Sequence, residues 1–98
     1  MIVVIAKFDI RPGQRDKLLA VAKPCIEATR RENGCISYEL FSSVEDESAM
    51  VFVERWRDLD ALRAHQQSAH IARFKEERAS YVEGPSRVTV FEAEEVAL

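Results

Sequence analysis

The 98-residue sequence predicts a single α+β domain whose helices cover one face of a four-stranded antiparallel sheet. Two observations carry that expectation. Four short β-branched or alternating segments are interleaved with stretches of helical periodicity, and the order of the segments is β-α-β-β-α-β. Separate cores need about 100 residues each, so there is room for one.

Ile2 to Ile10 opens the chain as a strand, apolar on both faces at Ile2-Val3-Val4-Ile5 and alternating from Lys7 onward. Arg11-Pro12-Gly13 stops it, because proline lacks a donor and glycine frees the backbone. From about Gln14 to Arg31, Leu18, Val21, Ala22, Cys25, Ile26 and Thr29 recur at helical spacing. Pro24 lies inside that helix and is expected to kink it by removing the bond to the carbonyl of Ala20. Asn33-Gly34 is a C-terminal stop. Cys35 to Ser42 and Met50 to Arg57 read as a strand pair joined by the polar turn Val44 to Ser48. Asp58 to Asp60 offers capping carboxylates to a short helix bearing Leu62 and His65. Ser68 caps another, on which His70, Phe74 and Tyr81 share a face beside Ile71, Arg78 and Val82. Gly84-Pro85 is expected to break this helix, and Arg87 to Glu92 forms the last strand.

This order is the split βαβ, or ferredoxin-like, arrangement. Its uncovered sheet face should be polar if water meets it. Yet Val3 and Ile5 oppose Ile2 and Val4, while Val51 and Val53 oppose Met50 and Phe52, so both parities are apolar. A second layer is required, and another copy of the sheet is the simplest supplier: a homodimer packed face to face is expected.

Composition narrows the function. Lys and Arg number 14 against 17 Asp and Glu, with no basic block, which argues against a nucleic-acid groove. The longest apolar run, Met1 to Ala6, is too short for a membrane span or a signal-peptide core. Cys25 and Cys35 make no disulfide framework and read as buried thiols of a reducing, cytoplasmic compartment. Gly13, Gly34 and Gly84 are isolated turn residues and form no phosphate loop.

Few residues can carry chemistry. His65 and His70 are five apart, not at helical metal spacing, and no Cys or carboxylate cluster completes a site, so no metal is expected. His65 and His70 are either surface or capping histidines, or His65 is a general base aimed between helices and sheet. Glu54 alternates with Met50, Phe52 and Trp56 on one strand face. It is a buried functional acid or, the favoured reading, the partner of a helix arginine such as Arg63 or Arg73. Trp56, Phe74, Tyr81 and Tyr38 can line a flat apolar pocket or belong to the core.

Glu54-Arg55-Trp56-Arg57-Asp58, followed by Ala61 to His65 and Ser68-Ala69-His70, resembles the signature of the antibiotic-biosynthesis monooxygenase domain. Arg11-Pro12-Gly13 and Glu32 to Tyr38 resemble it too, and the likeness runs from about Val3 to Phe91. The resemblance implies a dimeric α+β barrel and, among several activities, oxidation of a quinol or anthrone by molecular oxygen without metal or flavin. The haem-degrading branch departs at three positions, here Ala6, His65 and Lys75, and no haem is expected. Fold membership does not fix a reaction. On this reading His65 is the base, Tyr81 or His70 donates to the oxyanion, and Phe52, Glu54, Trp56, Phe74 and Tyr38 surround the substrate. An isomerase or lyase of a small oxygenated metabolite, or a non-catalytic binding dimer, remain the alternatives.

Overall fold

The computed structural model describes residues 1–98. Its elements are β1 (Ile2–Ile10), α1 (Arg15–Arg30), β2 (Cys35–Ser42), β3 (Ala49–Trp56), α2 (Leu59–Gln66), α3 (Ala69–Arg78) and β4 (Val82–Glu92). The strands form one antiparallel sheet in the order β2-β3-β1-β4. The α+β class and the split βαβ order are as expected from the sequence.

Strand parity decides what is covered. Ile2, Val4, Phe8 and Ile10 of β1 and Met50, Phe52, Glu54 and Trp56 of β3 point to the helix side, where they are buried with Tyr38 of β2. The helices contribute Leu18, Ala22 and Cys25 from α1, Leu62 from α2, and Ile71 and Phe74 from α3. Both short helices are capped as the sequence suggests. Asp58 Oδ1 accepts from the Ala61 amide at 2.9 Å, and Ser68 Oγ accepts from the Ile71 amide at 3.3 Å.

The end of α3 differs from expectation. The helix stops at Arg78 rather than running to Gly84-Pro85, and Tyr81 sits in the turn that follows. The end of β1 claims this segment: the Arg11 amide donates to the Tyr81 carbonyl at 2.9 Å, and Val82 pairs with Ile10. Gly84 and Pro85 therefore lie inside β4 instead of before it. Lys7 pairs with Arg87 while Asp9 pairs with Glu83, so β4 carries extra residues opposite Phe8. A bulge on an edge strand tolerates proline, and Gly84 takes the positive φ of 71° that such a bend asks for.

Gly34 is required twice over. Its φ is 87°, and an added Cβ would fall 2.6 Å from the Ala61 methyl of α2. The turn after α1 thus presses on α2, which brings Glu32, two residues before Gly34 in the same turn, to the helix corner.

Candidate functional site

Three elements converge at that corner. The Glu32 carboxylate, in the turn after α1, meets His65 of α2 and His70 at the start of α3. One oxygen, Oε2, lies 2.6 Å from His65 Nδ1 and 2.9 Å from His70 Nε2. The His65 side chain is 5% exposed and is held between rings, 4.8 Å from Trp56 and 5.4 Å from Tyr38. Burial lowers its pKa, and the hydrogen bond and charge of Glu32 oppose the shift without cancelling it. A neutral imidazole with its proton on Nδ1 donates to Glu32 and leaves Nε2 with a free lone pair. Nε2 has no protein partner, yet no buried side-chain nitrogen or oxygen is left unsatisfied, so this atom is open to the pocket.

The pocket lies between the sheet and α2–α3, with a volume of about 100 Å³. Phe52, Glu54, Tyr38, Phe74 and His65, all expected at the site, line it together. Trp56, His70 and Tyr81 do not. Trp56 backs the site, fully buried, and donates its Nε1 hydrogen to Glu54 Oε1 at 3.0 Å. His70 stands behind Glu32, and Tyr81 left the wall when α3 ended early. Neither offered donor faces the pocket; Arg78 and Lys75 do, neither of which was selected from the sequence.

Two further expectations are corrected. Glu54 has no arginine partner: Arg63 pairs with Asp60 and Arg73 with Glu77, each on its own helix. Burial instead pushes the Glu54 carboxyl up to about 6, against the lowering hydrogen bond from Trp56. Across the strand pair, Tyr38 is Glu54's partner in register, and burial drives its phenol pKa upward, with the Glu54 charge adding to the shift. The argument against a metal rested on the absence of a carboxylate near the histidines, and Glu32 supplies one. The three donor atoms lie within 4.8 Å of one another, a His₂Glu set of a kind that binds zinc. The break between α2 and α3 defeats the spacing test, which presumes one helix. Both hydrogen bonds to a single oxygen account for the cluster as it stands.

Glu32 opens the family-like stretch Glu32 to Tyr38, but nothing there assigns it a role, and Arg78 ends a helix at an ordinary surface position. Arg78 is half-buried over the rings of Phe8 and Phe74, at 5.7 and 5.1 Å, and donates to Ser86 Oγ in the β4 bulge at 3.2 Å.

An α+β domain of βαββααβ order with a largely apolar pocket and an acid–base cluster beside it defines the class. The antibiotic biosynthesis monooxygenase family model matches residues 1–77, and the chain belongs to that family. YcnE of Bacillus subtilis (strain 168) is 34% identical over 74 residues, 76% of this chain and 78% of YcnE. Rv0793 of Mycobacterium tuberculosis is 37% identical over 89 residues, 91% of this chain and 87% of that protein. Both bear the name "putative monooxygenase". The solved structure of Rv0793 superposes with a TM-score of 0.88 at 34% identity, covering 99% of this chain and 98% of that one.

Proposed function

We propose that the protein is a cofactor-independent monooxygenase that oxidises a small hydroxylated aromatic of the quinol or anthrone type with molecular oxygen. One observation carries the reading: a buried, neutral imidazole oriented by Glu32 presents Nε2 to an apolar pocket. The substrate hydroxyl gives its proton to Nε2, and Glu32 stabilises the imidazolium formed. Arg78 and Lys75 put positive charge on the wall of the same pocket, which favours an electron-rich, anionic substrate. The electron-rich anion passes one electron to oxygen, and the radical pair combines into a carbon–oxygen bond. The peroxide then breaks: one oxygen atom stays on the product as a carbonyl, the other leaves as water, and substrate carbon supplies the electrons. Phe52, Phe74 and Tyr38 exclude solvent from the intermediate. The working unit is a homodimer packed sheet against sheet.

Oxygen uptake by metal-free protein with a panel of reduced quinols and anthrones tests this. The expected result is uptake above autoxidation that falls roughly 100-fold in His65→Ala and roughly tenfold in Glu32→Gln. Undiminished turnover in His65→Ala would remove the base assignment. A second reading draws on Glu54, whose carboxyl titrates at about 6 in the same pocket as His65. Two proton-transfer groups on one ligand suit an isomerase of a small oxygenated metabolite. Conversion of such a compound under argon, with no uptake from any quinol, would favour it.

A further inference from the structure

The cation at the pocket wall lacks a counter-ion. Arg78 is half-buried against two aromatic rings, and its one side-chain hydrogen bond goes to the neutral hydroxyl of Ser86. No carboxylate lies within ion-pairing distance of it; Arg11, Arg15, Arg30, Arg31 and Arg55 share that lack, but of these unpaired arginines only Arg78 lines the pocket. Lys75, one helical turn earlier on the same face of α3, also lines the pocket and forms no ion pair. Drawing a guanidinium out of water without an anion is costly, and burial accordingly lowers the Arg78 pKa. The missing negative charge is what a ligand would bring. A guanidinium suits a planar oxyanion, which it grips with two parallel N–H bonds.

Size gives the second constraint. A pocket of about 100 Å³ is below the range of roughly 300–1,000 Å³ usual for drug-sized ligands. It is nearer the cavity of roughly 150 Å³ that holds a benzene ring. The aromatic walls, Phe52, Phe74 and Tyr38, suit one flat ring held between them.

We infer that the pocket takes a single-ring hydroxyaromatic bearing a carboxylate or similar planar anionic group, its hydroxyl at His65 and its anion at Arg78 and Lys75. The hydroxyl end of this assignment rests on the monooxygenase reading; the anion end does not. The two ends place the ring between the base and the cations, so the substituent fixes which hydroxyl meets Nε2.

Calorimetric titration with 4-hydroxybenzoate and with its neutral, near-isosteric amide, 4-hydroxybenzamide, tests the inference. The acid should bind about tenfold or more tightly than the amide, as a charge-assisted bidentate contact gives. Arg78→Gln and Lys75→Gln should each erase most of that preference. Lys75 is exposed, so its variant keeps the fold even if loss of Arg78 loosens α3. Equal binding of acid and amide, or binding of neither, overturns the inference, as does an acid preference that survives both substitutions. Oxygen uptake, measured separately, distinguishes the two claims. Selective acid binding without uptake would uphold the anion site and count against the oxygenase. Uptake from neutral quinols with no acid preference would do the reverse.

Discussion

Glu54 shows how one residue couples stability to the site. The residue is 5% exposed, and Trp56 is the hydrogen-bond donor to its carboxylate. A folded-state pKa of about 6, against an ordinary 4.5, means that the folded protein holds the proton more tightly than the unfolded chain between those values. Stability therefore falls as pH rises through that window, and the penalty is complete above pH 6, about 2 kcal/mol for the shift. Glu54→Gln keeps an acceptor for Trp56 and removes the charge. Urea unfolding should show the variant more stable by up to about 2 kcal/mol at pH 7.5 and no different at pH 4. Equal stability at both values would mean that water reaches the carboxylate. His65 works in the opposite direction. Its lowered pKa withholds a proton the unfolded chain would bind, so stability is lost as pH falls below the ordinary 6.5. Strand parity was enough to place Glu54 beside Phe52 and Trp56, whereas helix phase left His65 between a surface position and an inward one, and packing on Trp56 and Tyr38 decides for the second. Parity could not see Glu32, which meets His65 33 residues away, nor Arg78, which meets Ser86 only because β4 bends back at Gly84-Pro85.

At the level of elements, the turn at Gly34 ties α1 to α2 and sets where Glu32 stands. Gly34→Ala meets two obstacles: a positive φ of 87° and a contact of 2.6 Å with the Ala61 methyl. The expected cost is roughly 2 kcal/mol or more, read as a lowered unfolding midpoint. Displacement of α2 should also loosen the Glu32–His65 contact, so the His65 pKa, followed by NMR, should move with the stability loss. A destabilised variant with an unmoved His65 would show that the turn does not position the dyad. The stop at Asn33-Gly34 and the caps Asp58 and Ser68 were legible because each acts on its nearest neighbours. Gly84-Pro85 was misread for the converse reason. The same dipeptide that ends a helix also bends an edge strand, and only pairing with β1 decides between them. That bend brings Ser86 to Arg78, which makes the misread element part of the pocket wall.

The whole molecule leaves one sheet face without a layer. Val3 and Ile5 of β1, Val51 and Val53 of β3, Phe41 of β2 and Phe91 of β4 share the side away from the helices. Phe41 and Phe91 are 46% and 45% exposed in the single chain. The alternation of two apolar parities already demanded a cover, and the fold of this family is a dimeric α+β barrel, in which a second sheet supplies it. Pairing through this face would be isologous: each copy offers the same patch, so the contact would close at two. Removing the row of valines from water on both copies would drive association, and one charge at its centre would be opposed by its own symmetry mate. Light scattering on the wild-type chain should give twice the monomer mass, and Val53→Asp should give the monomer. The helix-side core does not include Val53, so near-native ellipticity is expected in the variant. The pocket lies on the other side of the sheet, between β-strands and α2–α3. Ligand titration of the monomeric variant therefore separates two roles for the dimer. Retained binding would mean that assembly covers the sheet and nothing more. Lost binding in a folded monomer would mean that the partner sheet holds β1 and β3, and with them Phe52 and Glu54, in the positions the pocket needs.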